Sequence, residues 1–361
     1  MKQGRSLKEA KAERAAKKRR AKRRRRVIVL LVELLILFTL LGIGYVMSKY
    51  GKFQLHMFGD GDIVKNEGVE KEGYTTIALF GGDSREGELE AGTHADTIMI
   101  VSIDNDTKEV KLVSVYRDLI VKRPDGKLGK ANSSYFLGGP RQAINMLNQN
   151  FDLDIEDYVT VDFTVMADVV DKLGGIEIDV TDAEAQEMNN YIGETADVTG
   201  KKAKRVKGGL QTLDGVQAVT YSRIRKNVGG DYARTERQRI VIQKLAEKVK
   251  DTDLSTILDL IDTVFPRIST SFTLKEMISL ATGVFRYELG ESKGFAFEHT
   301  DGNVKGIGSV VVPLGVTQNV EEMHAFLYPK AEYSVSETVQ TIAQEIESAT
   351  GYTREDYKET E

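Results

Sequence analysis

Residues 75–118, TTIALFGGDSREGELEAGTHADTIMIVSIDNDTKEVKLVSVYRD, hold the stretch that decides the fold. TTIALF (75–80) is a short apolar run, while DTIMIVSI (96–103) and VKLVSVY (110–116) are rich in β-branched residues, the composition of buried strands. Asp104-Asn105-Asp106 is a short polar link and predicts a hairpin between the last two. With the first strand running up, the meander carries the second down and the third up. Downstream the apolar spacing turns helical. Ala143, Ile144 and Leu147 predict a helix over 140–150, and a second spans 164–173 until Gly174-Gly175 stops it before a strand, IEIDV. Asp214 is placed to cap a short helix reaching Ser222, and a long helix covers 231–250. Thr273 with Glu276, and Ser334 with Glu337, have the spacing of capping boxes, and GSVVVPL (308–314) reads as a late strand. Strands interleaved with helices predict an α/β domain with a mixed central sheet.

The meander brings Asp83, Asp96 and Arg117 to one sheet edge. Two carboxylates and a guanidinium suit a divalent cation beside a phosphate, although such residues at strand ends also serve as solvated caps. A second cluster packs Arg223, Arg225, Arg234, Arg237 and Arg239 into 17 positions. Val241, Ile242, Leu245 and Val249 form the apolar stripe of the long helix, and stepping back along that face reaches Gln238 and Arg234. Both should therefore point inward. An inward guanidinium needs a partner, which is either an internal carboxylate (Asp231 or Asp96) or a phosphate near the helix N-terminus. Jointly the two clusters are the parts of phosphoryl transfer by positioning and charge neutralisation. No GxxxxGK[ST] loop and no kinase signature is present, so ATP is not the implied substrate. The absence of Cys excludes disulfides, thiolate metal sites and a cysteine nucleophile, and four His without metal spacing argue against a zinc site.

Charge and hydropathy divide the chain. Residues 1–26 carry 14 Lys/Arg and 2 Glu, whereas the remainder carries 36 basic and 53 acidic residues. VIVLLVELLILFTLLGIGYVM (27–47) follows, with Glu33 its only charge. At about 1.5 Å per residue, 21 residues just cross a hydrocarbon core of about 30 Å. The run is too long for a cleaved signal peptide's apolar region, so a retained anchor is predicted. Basic residues stay on the cytoplasmic face, which puts the N-terminus inside and residue 48 onward outside. The basic block reads as a topogenic, headgroup-binding segment, and no nucleic-acid partner is expected. Residues 48–73 are polar without period and read as a linker; 74–330 hold the catalytic domain, and 331–361 a C-terminal helix and tail.

Several segments together resemble the LytR-CpsA-Psr family: LFGGDSR (79–85), ADTIMIVSID (95–104), VKLVSVYRD (110–118), GKANSSYFLGGP (129–140), DYVTVDF (157–163), KLGGIEIDV (172–180), LDGVQAVTYSRIR (213–225) and GGDYARTERQ (229–238). Tyr116 stands where proline is commoner before Arg-Asp, and Gly82 where serine is commoner before Asp-Ser-Arg; neither change removes a charged residue. The resemblance implies a three-layer α/β/α domain behind one transmembrane helix. It also implies a membrane-anchored enzyme of Gram-positive envelopes that moves a glycopolymer (teichoic acid, capsule or related polysaccharide) from a polyprenyl pyrophosphate carrier onto peptidoglycan. Asp83 and Asp96 would hold Mg²⁺ or Mn²⁺. Arg117, Arg223, Arg225 and Arg234 would bind the pyrophosphate with support from Gln238, and Lys130 would reach the same anion. Either Asp could instead be the base. Val165, Met166, Val169, Val170, Leu245 and Val249 would line a tunnel for the lipid tail or serve as ordinary core. A hydrolase of the same lipid pyrophosphate, a non-enzymatic regulator and a wall-binding module are the other classes such a chain could fill.

Overall fold

The computed structural model describes residues 54–55, 58–59, 61–82, 89–264, 267–273, 276, 280 and 284–356. The basic tail, the predicted membrane span and Asp83 lie outside the described residues, among which no helix is long and apolar enough to cross a membrane.

The strands are β1 (Gln54–Leu55), β2 (Tyr74–Gly82), β3 (Ala95–Asp104), β4 (Glu109–Val115), β5 (Ile120–Lys122), β6 (Leu128–Lys130), β7 (Asp157–Asp162), β8 (Ile176–Val180), β9 (Gly209–Leu213), β10 (Ser269–Thr270), β11 (Glu288–Phe295), β12 (His299–Val304) and β13 (Gly308–Pro313). The helices are α1 (Ala131–Phe151), α2 (Phe163–Lys172), α3 (Asp182–Thr199), α4 (Gly215–Arg223), α5 (Gly230–Lys250), α6 (Leu254–Val264), α7 (Val316–Leu327) and α8 (Glu337–Thr350). Seven strands make the central sheet in the order β1-β10-β7-β2-β3-β4-β11. The expected meander is its centre: β2, β3 and β4 pair antiparallel, with Ile77 opposite Val101 and Ile100 opposite Val113. Strands β7 and β11 join parallel to β2 and β4, so the sheet is mixed.

Because side chains alternate across a strand, the sheet serves two layers. One face turns Ala78, Phe80, Ile98, Ile100, Val113 and Val115 to a core shared with α1, α7 and α8. Leu79, Met99 and Val161 turn the other way, toward α2 and α5. A second core, with Val170, Met188, Leu213, Ala218, Val241 and Leu245, binds α2 to α6 with the β8–β9 hairpin.

One local reading is extended and two are corrected. The helix expected over 140–150 is present: the non-helical backbone of Gly138 and Gly139 divides α1 into two helical pieces, Pro140 opens the second, and the first, from Ala131, was not expected. Ser336, not Ser334, caps α8 by accepting the Val339 N–H at 3.2 Å, since the helix starts at Glu337 and leaves Glu337 no backbone amide of Ser334 to reach. The linker reading fails over 61–73, because the single unit from Phe53 to Glu361 includes this segment. Val64 N–H donates to Asn145 at 2.8 Å, Asn66 reaches Asp152 at 2.5 Å, Lys71 N–H donates to Asp154 at 2.9 Å, and Val69 is buried. These are isolated polar anchors, which leave no periodic trace in the sequence. Likewise Val339, Ile342 and Ile346 of α8 belong to the main core.

Candidate active site

At the edge where β3 begins and β4 ends, local geometry delivers the charges. Asp96 opens β3, and Arg117 follows β4 and binds it, Nη1 to Oδ1 at 2.7 Å. Helix α4 is capped by Asp214, which accepts the Gln217 N–H at 3.0 Å. It ends at Arg223, and Ile224 in extended conformation carries the chain on to Arg225. Helix α5 is entered through Gly229 and Gly230 (φ 87° and 68°), a left-handed path that suits glycine. Its first turns present Asp231, Arg234 and Gln238.

Asp96, Arg223, Arg225, Asp231, Arg234 and Gln238 line a cavity of about 460 Å³, together with Phe163, Tyr191, Glu194, Thr195, Ile224, Lys226 and Gly230. Arg223 lies over the Phe163 ring, 4.5 Å from its centroid, and meets Glu194 and Thr195, each at 3.5 Å. Arg234, 4% exposed, confirms the inward reading, as does buried Gln238. Burial pulls the Arg234 pKa down and neighbouring Arg117 pushes it further, against Asp231 and Asp96. Burial also weighs on Arg117, but Asp96, Asp118 and Asp231 outweigh it and raise its pKa. A buried cation crowded by like charge is the physical mark of a site prepared for an anion.

Of the expected residues, Asp96, Arg223, Arg225, Arg234 and Gln238 share the cavity wall, with Arg117 on Asp96 beside it. Lys130 is one shell out: its Nζ sits 3.1 Å from Asp118, which also faces Arg117 Nε at 3.6 Å. Asp118, Tyr191, Glu194, Thr195 and Lys226 were not anticipated. Asp118 was readable in the YRD segment, whereas the contribution of polar α3 had no sequence signal. Arg237 proves structural. Its Nε binds Glu184 at 2.8 Å, and its Nη1 and Nη2 donate to the carbonyls of Ile224 and Val228.

Below the polar cavity, between sheet and helices, is a narrow apolar one of about 50 Å³. Leu79, Phe80, Met99, Val161, Met166, Val241 and Ile242 line it, and Phe163 and Gln238 are walls of both cavities. Of the six expected tunnel residues, Met166 lies there. Val170 and Leu245 are core, Val169 and Val249 pack against that core, and Val165 is buried away from the cavity. Helix α2 turns Phe163 and Met166, three residues apart, to the apolar cavity, and Val169 and Val170 to the second core.

An α/β domain with an arginine-lined cavity beside an apolar one is the class that fold and site define. A sequence profile of the LytR_cpsA_psr family matches residues 50–322, and the chain belongs to that family. The regulatory protein MsrR of Staphylococcus aureus is 30% identical over 210 residues, 58% of this chain and 57% of MsrR. The chain thus spans little more than half of that relative. The polyisoprenyl-teichoic acid–peptidoglycan teichoic acid transferase TagV of Bacillus subtilis is 27% identical over 270 residues, 69% of this chain and 67% of TagV. The solved structure of the LytR-CPS2A-psr family protein YwtF (TagT) with bound octaprenyl pyrophosphate lipid shares the fold, with a TM-score of 0.52 at 20% identity, over 81% of this chain and 95% of that one.

Proposed function

We propose that this protein is a membrane-anchored phosphotransferase that moves a glycopolymer from a polyprenyl pyrophosphate carrier onto peptidoglycan as a phosphodiester. The observation that carries the reading is the junction of the two cavities at Phe163 and Gln238. A guanidinium-lined chamber for a charged head and an apolar slot for a hydrocarbon tail share these two wall residues, an arrangement that suits an amphiphilic diphosphate. The names of TagV and of lipid-bound TagT support the same substrate class.

In this reading Arg117, Arg223, Arg225 and Arg234 hold the pyrophosphate oxygens and spread the charge that grows on the departing prenyl phosphate. Gln238 orients the head above the slot. An acceptor sugar hydroxyl attacks the phosphorus next to the glycan and forms a P–O bond while its proton passes to water, the bridging P–O bond breaks, and prenyl phosphate leaves with the electron pair. Lys130 acts at longer range, through Asp118 and Arg117.

Among the described residues no three His, Asp or Glu gather into a cation cage. Asp96, with one oxygen on Arg117 and its carboxylate on the cavity wall, nevertheless fits Mg²⁺ or Mn²⁺ as such ions bind beside phosphates: few carboxylates, the rest water and substrate oxygens. Asp96, with Asp83, would hold the ion, which would neutralise phosphate charge.

The test uses the full chain in detergent micelles with a prenyl pyrophosphate-linked sugar and peptidoglycan oligomers, read by mass spectrometry. A phosphodiester-linked adduct that disappears with EDTA or with Arg234→Gln is expected. Free sugar phosphate without adduct would replace the transferase by a hydrolase, and an inert wild type that binds no lipid pyrophosphate would end the enzyme reading.

A further inference from the structure

Arg117, Arg225 and Arg234 come from three separate segments and fan around one atom, Asp231 Oδ1, at 3.9, 3.8 and 2.9 Å. We infer that Asp231 is an internal counter-anion: its carboxylate holds the position of a ligand phosphate and has to leave before one binds. The inference rests on the phosphotransferase reading and adds the residue that sets its affinity for anions.

The fit of this carboxylate is incomplete. Among the described residues, Asp231 Oδ1 is buried yet makes no well-formed hydrogen bond, and Arg117 Nε and Arg234 Nε are buried donors that meet no acceptor. Two oxygens in one plane meet donors arriving from three directions less well than the oxygens of a tetrahedral phosphate do. Arg237, four-fifths of a turn further along the same helix, shows what a permanent arrangement looks like. It is just as buried, but Nε, Nη1 and Nη2 each have an acceptor. A stored carboxylate also needs a way out. Asp231 is the second residue of α5, behind the paired left-handed glycines, and Gly229 gives that helix no side-chain cap. Its side chain is already 40% exposed.

The arrangement sets a threshold. While Asp231 occupies the guanidiniums, an anion sees only the fraction of molecules in which it has swung away, and its apparent affinity falls by that fraction. Small inorganic anions bring nothing else to the contest. A lipid-linked diphosphate brings tail contacts in the apolar slot and so displaces Asp231 where pyrophosphate alone struggles.

The experiment is calorimetric titration of inorganic pyrophosphate into the full chain in detergent micelles, with EDTA at fixed ionic strength. Wild type, Asp231→Asn and Arg234→Gln are compared, and thermal unfolding verifies that each is folded. Asp231→Asn is expected to bind at least about tenfold tighter and Arg234→Gln at least about tenfold weaker. Asp231→Ser, which also removes the charge, should move in the same direction as Asp231→Asn. If wild type binds and neither Asp231 variant tightens, the counter-anion role is wrong while the anion site stands. If neither wild type nor Asp231→Asn binds, the anion site is wrong and the inference falls with it.

Discussion

Replacing Arg237 by Gln should damage this protein more than replacing any other arginine of the 223–239 cluster. Its guanidinium is 4% exposed, and it ties Glu184 of α3 to the loop 224–228 that carries Arg225. Glu184 is itself fixed as the capping partner of Thr181, at 3.0 Å to that backbone N–H, so it cannot follow a shortened side chain. Removing one member of a buried pair strands the other, at about 3–5 kcal/mol, and two carbonyls lose donors at about 1 kcal/mol each unless water reaches them. A loss of about 4 kcal/mol is expected, or roughly 8–16 °C in Tm for a domain of this size. Urea denaturation followed by far-ultraviolet circular dichroism gives the free energy. The double-mutant cycle with Glu184→Gln should return about 2 kcal/mol, because the second change removes the stranded charge. A loss below about 1 kcal/mol, or strict additivity in the cycle, would refute the reasoning that this arginine is a structural clamp.

Other outcomes follow from the same geometry. Burial pushes the His324 pKa down from 6.5 to about 4, so the folded state binds fewer protons than the unfolded chain between those values. Stability should be whole above pH 6.5 and fall as pH drops toward 4, by about 3 kcal/mol at most, and His324→Gln should flatten that limb in denaturation curves taken across the range. A chain beginning at residue 74 loses the Val64, Asn66 and Lys71 anchors and buried Val69, and should be about 5 kcal/mol less stable than one beginning at residue 53. Equal urea midpoints for the two would show the segment to be a mere tether. Met166→Trp fills the apolar cavity and should raise KM for a long-chain prenyl donor about tenfold, while leaving a short-chain donor within about threefold.

Much of the fold was legible because the β2–β4 meander is governed by one rule, alternation on a two-faced sheet, and because IEIDV coincides with β8. The inward aim of Arg234 and Gln238 was equally readable, since helical spacing from Val241 and Ile242 fixes the face. What the sequence could not supply was partnership across distance. Arg237 and Arg234 share a helix face, yet one is a clamp and the other lines the cavity, because Glu184 lies 53 residues away on α3 and meets only the first. The unread first piece of α1 has a local cause: Gly138-Gly139 breaks the helix soon after its start at Ala131, which leaves a stretch too short for a periodic trace. The valines of α2 lie in or against the core, the other reading their spacing allowed, because the helix has more than one packed side and periodicity does not say which one looks at the sheet.

Phe163 is a wall of both cavities, and its ring carries the Arg223 guanidinium. An amphiphile read on both sides of one ring behaves like a chelate: once either half is seated, the other is confined at high local concentration. A detached hydrocarbon and a detached diphosphate, added together, should therefore bind far less than the intact molecule. Under the proposed function, selectivity would reside in the covalent link between head and tail, which neither cavity recognises by itself.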